Sequence, residues 1–250
     1  MTLRYGSFGS AWAERLSLDR DEALGYLGYA GQRVDESLLA RFNALADACE
    51  RDTKPRFAWG VFDVDTARTD LTAAAVPDKH VALLGCNLVL PGESMAEHLA
   101  GACGVALMAC TLGMENEREM RRYEALSPTD ALMFSACASA LVEAAANAVE
   151  ARIVAWAADQ GLHTNWRFSP GYGDLPLSVQ PALLGALDAM RRLGMTLTPT
   201  NMIVPVKSVT AVVGLFETAQ AGAGVRNICA TCQLEDCCEL RKRGTTCHGR

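Results

Sequence analysis

The order of apolar and polar positions divides the chain into helices and strands. Some segments carry apolar side chains at helical spacing, and others are rich in the branched and aromatic residues of strands. We expect helices at residues 19–28, 35–50, 94–102, 116–126, 128–160 and 178–193. We expect strands at residues 55–64, 81–89, 105–110 and 208–216, and an extended segment at residues 196–206.

The irregular alternation of these segments predicts an α+β fold, in which helices pack on a twisted, mainly antiparallel sheet. Residues 1–80 are expected to form a helix and strand segment of the same domain. Residues 81–218 would form the core, and residues 219–250 a cysteine-rich tail. The order of the segments favours this arrangement over a doubly wound fold.

Two helix starts have clear capping patterns. Ser94 followed by Glu97 matches a capping box. Ser127 is an N-cap serine, and Pro128 follows it in the first helical turn. The Ala-rich helix that begins there would run for about 30 residues, or about 45 Å. Because it is apolar nearly all round, we expect this helix to be central in the domain.

The polar residues of this long helix recur at steps of three or four and therefore share one narrow stripe. The stripe consists of Ser135, Ser139, Glu143, Asn147 and Glu150. Two interpretations stay open: a face of the helix exposed to solvent, or a polar wall that faces a cleft. In the second interpretation, Glu143 is the best placed charge.

Residues 167–176 differ from the rest of the chain, because two glycines, two prolines, one tyrosine and one arginine fall within them. Proline fixes φ and glycine permits φ > 0, so the segment is predicted to be a stiff, extended loop. Its arginine, exposed amides and aromatic ring would suit a small anionic or zwitterionic ligand. A stiff connecting loop without a ligand is the alternative.

The composition indicates a globular protein, because 50% of the residues are hydrophobic and only 21% are charged. The net charge of −6 argues against a general affinity for nucleic acid or anionic lipid. We identify no membrane-spanning run and no signal peptide, so we expect a cytoplasmic location. There the ten cysteines would be thiols or metal ligands rather than disulfides.

Five cysteines lie close together near the end of the chain, in a short polar segment that can bury little apolar surface. A Cys-x-x-Cys pair followed closely by further cysteines is typical of tetrahedral thiolate coordination. Zinc or an iron–sulfur cluster would suit such a site, and a reduced, disordered tail without metal is the other interpretation. The candidate metal ligands are Cys229, Cys232, Cys237, Cys238 and Cys247.

Four short motifs follow one another within roughly residues 80–215. They are Leu141-Val142-Glu143-Ala144, Arg167-x-x-Pro170-Gly171-Tyr172-x-x-x-Pro176, Gly194-Met195-x-Leu197-Thr198 and Pro205-x-x-Ser208-Val209. In order and spacing they resemble the S-adenosylmethionine-binding reactivation domain of cobalamin-dependent methionine synthase. The chain is also similar to short, stand-alone relatives of that domain, which share its cysteine-rich end.

The resemblance implies roles for the loop and for the long helix. Arg167 would bind the carboxylate of the methionine moiety, and Glu143 would complement its ammonium group. Tyr172, the candidate catalytic residue, would lie near the sulfonium or the corrinoid face, so that the protein orients the methyl group. The implied ligand-binding residues are Arg167, Ser169, Pro170, Gly171, Tyr172 and Glu143.

The resemblance further implies a subunit that supports reductive remethylation of cobalamin on a partner methyltransferase, with methionine synthase as the expected partner. A corrinoid site is not expected on this chain. Asp78-x-His80 matches the start of the corrinoid-binding pattern D-x-H-x-x-G, but Leu83 occupies the glycine position. Cobalamin would therefore be carried by the partner, and a reductant protein would be a further partner.

Two features of the sequence leave the function open. Asp174 follows the Gly-Tyr pair of the loop and departs from the family pattern, which adds a carboxylate near the expected site. The cysteine-rich tail supports an alternative function, in which an iron–sulfur or zinc protein serves a corrinoid methyltransferase as an electron-transfer or scaffold partner.

Overall fold

The computed structural model describes residues 3–8, 16–29, 31–72 and 79–219. In these ranges one five-stranded sheet has every neighbouring pair antiparallel. Its strands, from one edge to the other, are β1 (Leu3–Ser7), β2 (Arg56–Asp63), β5 (Gly104–Thr111), β9 (Ser208–Phe216) and β6 (His163–Thr164). The predicted α+β fold with a mainly antiparallel sheet is confirmed.

Helices and two small hairpins cover this sheet. The helices are α1 (Arg20–Tyr26), α2 (Glu36–Asp52), α3 (Glu93–His98), α4 (Gly113–Leu126), α5 (Pro128–Asp159), α6 (Gln180–Ala186) and α7 (Ala189–Leu193). The hairpins pair β3 (His80–Ala82) with β4 (Val89–Pro91), and β7 (Thr196–Leu197) with β8 (Ile203–Val204).

The sheet separates two apolar cores, because successive side chains of a strand point to opposite faces. In β5, Ala106 and Met108 pack on the side of α1, α2 and α5. Val105 and Leu107 pack on the side of α3, α6 and α7. Every residue of β5 is buried, which accounts for the continuous apolar run in its sequence.

Helix α5 has the predicted start and length. The Ser127 hydroxyl accepts a hydrogen bond from the amide of Asp130 at 3.3 Å, and the helix extends over 32 residues. It is the one helix in the described ranges that is long and apolar enough to cross a bilayer, which the sequence-based expectation overlooked. Most of that apolar stretch is buried, as in the core helix of a globular domain.

Two predicted elements were wrong in detail. The strand expected at residues 81–89 is instead the β3–β4 hairpin, and Gly85 in its turn has φ = 78°. The helix expected at residues 178–193 begins with a 3₁₀ turn at Leu177–Val179 and breaks between α6 and α7. At the break Asp188 has a left-handed φ of 52°, which interrupts the helical hydrogen-bond ladder.

Candidate functional site

A cavity of about 350 Å³ lies where α5, the loop after β6, the β7–β8 hairpin and the start of β9 meet. This volume is in the range of small-molecule sites. Among the described residues, Glu143 and Arg167 are the charged side chains that line it. The other lining residues are Ser169, Pro170, Tyr172, Leu177, Gln180, Thr198, Asn201, Met202, Ile203, Val204, Val206, Ser208, Val209 and Thr210.

The loop at residues 167–176 is anchored to the sheet at its start. The backbone of Phe168 both donates to and accepts from Val212 of β9, at 2.8 Å in each direction. Further on, the Gly171 amide donates to the Leu175 carbonyl at 2.8 Å, and the Leu175 side chain is buried. These contacts hold the loop in a defined conformation, as its prolines and glycines predict.

Gly171 differs from its neighbours in the predicted ligand-binding set. Ser169, Pro170 and Tyr172 line the cavity, whereas Gly171 does not. Gly171 has φ = 95°, a conformation that favours glycine, and its amide closes the turn inside the loop. In this structure its contribution is to shape the loop that carries the lining residues.

Asp174 does not add a carboxylate to the cavity, contrary to the expectation from sequence. Its oxygens accept from the amides of Glu93 at 2.6 Å and Ser94 at 3.1 Å, so Asp174 caps the start of α3. The capping-box pattern predicted Ser94 as the N-cap of this helix, and the structure shows that this prediction was wrong. Gly92 occupies that position, and a Cβ there would lie 2.6 Å from the Asp174 carboxylate.

Arg167 is held by the polar stripe of α5. Its Nη2 donates to Glu143 at 2.7 Å, and its Nη1 donates to Glu150 at 2.5 Å and to Asn147 at 2.6 Å. The Arg167 side chain is 12% exposed, and those of Glu143 and Glu150 are 35% and 13% exposed. The stripe therefore faces inward at this end and surrounds a largely buried guanidinium.

The pKa of Arg167 reflects two opposing effects. Burial alone would lower the pKa, because desolvation disfavours the charged form. The attraction and hydrogen bonds of Glu150 and Glu143 outweigh burial, so the pKa lies above its ordinary value. Arg167 is therefore a permanent cation that two carboxylates share.

The other end of the stripe holds a second cation. Nζ of Lys207 donates to the hydroxyl of Ser135 at 3.1 Å and to that of Ser139 at 2.7 Å. No carboxylate lies within ion-pair distance of Lys207 in the described part of the chain. Burial lowers the pKa of this lysine. The sequence analysis did not predict that Lys207 would contact the stripe.

Helix α1 brings two further polar residues toward the site, and the sequence did not identify them. Tyr26 donates its hydroxyl hydrogen to Glu22 at 2.6 Å. Burial raises the pKa of Glu22, and the charges of Glu143 and Arg167 are close enough to act on it. Burial also raises the pKa of Tyr26, which lies within electrostatic range of Glu143 and Tyr172.

Neutral polar groups on the far side of the cavity were also missed. Gln180 is buried and accepts a hydrogen bond from the Thr210 hydroxyl at 3.0 Å. Thr198 and Ser208 belong to the short motifs at residues 194–209, so a signal for them existed. No pattern in the sequence distinguished Gln180 or Asn201.

Tyr172 lies at the mouth of the cavity and is 54% exposed. Its ring meets that of Phe168 edge to face, with the ring centroids 6.4 Å apart. Edge-to-face pairs add a modest stabilisation beyond the area that they bury. Tyr172 therefore presents a supported aromatic surface to whatever approaches the cavity.

The predicted metal ligands Cys229, Cys232, Cys237, Cys238 and Cys247 lie outside the described residues, so a metal at the cysteine-rich tail stays a prediction. Within residues 3–219, leaving out the undescribed gaps, no group of three or more histidine, cysteine or acidic side chains is arranged to hold a metal ion. Cys49, Cys110 and Cys137 are buried free thiols.

Comparison with known proteins identifies both a family and a related fold. A family model described as vitamin B12 dependent methionine synthase, activation domain, matches residues 93–239. The solved structure of the MetH reactivation domain bound to AdoHcy matches with a TM-score of 0.61 and 17% sequence identity. This match covers 89% of the present chain and 81% of that one. A search of curated proteins gives no match.

Proposed function

Because the chain belongs to the activation domain family of vitamin B12-dependent methionine synthase, we propose that it binds S-adenosylmethionine in the cavity beside Arg167. In this proposal it supports reductive remethylation of cobalamin carried by a partner methyltransferase, methionine synthase being the expected one. The observation that carries the proposal is the donor pattern of Arg167.

Three of the five N–H groups of Arg167 donate to stripe residues. Nε–H and the second Nη2–H have no acceptor within the described ranges. The Nε–H and Nη2–H edge of a guanidinium matches a carboxylate in bidentate geometry. Arg167 can therefore bind the carboxylate of a methionine moiety while the stripe holds its other edge.

Glu143 complements this contact from the helix. Its Oε2 accepts from Arg167, and the carboxylate lines the cavity, so Oε1 can accept from a ligand ammonium group. The lining from the β7–β8 hairpin is neutral, and Met202, Ile203 and Val204 give it an apolar surface. This side would take the uncharged part of the ligand. Together the two walls fit a zwitterionic head with a larger neutral group.

When bound, S-adenosylmethionine supplies an activated methyl group on its sulfonium. The residues of this chain would bind and orient it rather than react with it. Arg167 and Glu143 would hold the amino-acid end, and the anchored loop would fix its position. Tyr172 would lie between the ligand and the partner's corrinoid, because it is exposed at the cavity mouth.

A reconstituted remethylation assay tests this proposal. An oxidised corrinoid methyltransferase would be incubated with S-adenosylmethionine and a reductant, with and without the chain, while the cobalamin spectrum is followed. We expect methylcobalamin to form faster with the wild-type chain, and Arg167→Ala to lose most of the acceleration. Equal rates with and without the chain would contradict the proposal.

A further inference from the structure

A second cavity lies between the C-terminal end of α2 and helix α4, and Phe134 of α5 also lines it. Its volume of about 320 Å³ is close to the 350 Å³ of the cavity beside Arg167, and both are in the range of small-molecule sites. The two cavities share no lining residue. The second cavity therefore has no part in the proposed function.

Asn116 supplies a buried acceptor at this second cavity. The residue is 2% exposed and belongs to the lining. Its Nδ2 donates to the Thr53 hydroxyl at 3.0 Å and to the Cys49 sulfur at 3.8 Å. Its Oδ1 is also buried, and it has no hydrogen-bond partner among the described residues. Because an unpaired buried acceptor costs free energy, Oδ1 is suited to a ligand that brings a donor.

Two aromatic rings give the second cavity an apolar wall. Phe134 is 2% exposed, and the ring of Tyr123 lies tilted against it with the ring centroids 4.9 Å apart. Both residues belong to the lining. A paired aromatic surface of this kind favours an apolar ligand group over a polar one.

Two charged side chains of opposite sign complete the lining. Glu115 and Arg118 are exposed, and neither forms an ion pair or a hydrogen bond with its side chain in the part of the chain that the structure describes. They are three positions apart on α4 and therefore lie on the same side of the helix. The other two charged lining residues, Asp52 and Glu119, already have arginine partners outside the lining. One carboxylate and one guanidinium are thus available to a ligand.

We propose that this second cavity binds a free α-amino acid with an apolar side chain. The ligand ammonium would donate to Oδ1 of Asn116 and to the Glu115 carboxylate, and the ligand carboxylate would accept from Arg118. The apolar side chain would pack on the rings of Tyr123 and Phe134. The inference goes beyond the proposed function and does not depend on it, because the site shares no residue with the cavity beside Arg167.

Titration with L-phenylalanine, followed by two-dimensional NMR of the ¹⁵N-labelled chain, tests this inference. We expect the side-chain amide signal of Asn116 to shift saturably, with a Kd on the order of 1 mM for a ligand of this size. Phenethylamine lacks the carboxylate and 3-phenylpropanoate lacks the ammonium, so each should bind roughly fivefold more weakly or worse. No saturable shift of the Asn116 signal, or equal affinity for all three compounds, would overturn the inference.

Variants at exposed positions assign the binding to the second cavity. Glu115→Gln and Arg118→Gln should each weaken the binding of L-phenylalanine roughly fivefold. Glu124→Gln is the matched control, because Glu124 is exposed on the same helix but does not line the cavity. Unchanged affinity in both Glu115→Gln and Arg118→Gln would overturn the inference.

One further variant separates the two cavities. In the proposed function, Arg167 holds the amino-acid end of its ligand, so L-phenylalanine could also enter the cavity beside it. The shift of the Asn116 signal should persist in Arg167→Ala with the same affinity. Loss of this shift would assign it to the first cavity and overturn the inference. A chain that binds L-phenylalanine at Asn116 but does not bind S-adenosylmethionine would contradict the proposed function alone.

Discussion

Arg167 and Lys207 are two cations held by the same stripe of α5, and their surroundings differ. Arg167 donates to two carboxylates and an amide, and neighbouring charges raise its pKa. Lys207 donates to two serine hydroxyls, and burial lowers its pKa. One face of α5 therefore provides carboxylates for a cation at the cavity and neutral hydroxyls for a second cation farther along the helix.

The difference shows which end of the stripe is suited to ligand chemistry. At the Arg167 end, the charged side chains of Arg167 and Glu143 line a cavity, so they can recognise a ligand by charge. At the Lys207 end, the hydroxyls can bind the ammonium but cannot offset the cost of burying it. Variants at the two ends should therefore behave differently.

The largest effect is expected for Arg167→Met. Glu143 and Glu150 would lose their shared cation and be left as neighbouring, partly buried carboxylates. We expect a loss of about 3 kcal/mol in the free energy of unfolding, measured by urea denaturation at neutral pH. Arg167→Lys is the matched control, because it keeps the charge without the planar fork, and it should lose less. An Arg167→Met chain with the free energy of unfolding of the wild type would contradict the expected difference between the two ends of the stripe.

His98 extends the comparison to a titratable side chain that burial keeps neutral. His98 in α3 packs against the rings of Trp166 and Phe168, and burial lowers its pKa to about 4. Because the unfolded state binds the proton more readily, stability should be full above pH 6.5 and fall until about pH 4. The contribution of His98 to this loss would be about 3 kcal/mol.

Urea denaturation across this pH range measures the effect of His98. His98→Leu should have a flatter stability profile between about pH 6.5 and 4 than the wild-type chain. His163→Gln, at an exposed position of β6, serves as the control and should follow the wild type. Parallel profiles for His98→Leu and the wild type would show that burial does not hold this histidine neutral.

The smallest effect is expected for Lys207→Met. No carboxylate in the described ranges would be left without its cation, so the free energy of unfolding should stay within about 1 kcal/mol of the wild type. The lowered pKa also makes a prediction: the wild type should gain stability as pH rises toward alkaline values, because its unfolded state binds the proton more tightly. A loss as large as that of Arg167→Met would contradict the comparison.

Local sequence patterns predicted the elements whose signals are local. The apolar run of β5 and the Ser127-Pro128 start of α5 needed only neighbouring residues to be recognised. The stripe of α5 was also visible, because its spacing is helical. The sequence did not predict which cation each part of the stripe would hold, because Arg167 and Lys207 approach the stripe from distant positions in the chain.

The predictions that were wrong concern features that local sequence patterns do not report. Ser94 has the pattern of a capping residue, but the Asp174 carboxylate from a distant loop takes the amides at the start of α3. The break at Asp188 follows from a left-handed backbone conformation that apolar periodicity does not report. Glu150 is a regular member of the stripe, and only the position of Arg167 makes it part of an ion pair beside the cavity.

Calorimetric titration of S-adenosylmethionine into the wild-type chain and into Arg167→Ala tests the central claim most directly. Lys207→Met serves as the control from the other end of the stripe. The account predicts saturable binding by the wild type and by Lys207→Met, and an affinity roughly tenfold or more weaker for Arg167→Ala, since a bidentate charged contact is lost. Undiminished affinity in Arg167→Ala, or no binding by the wild type, would contradict it.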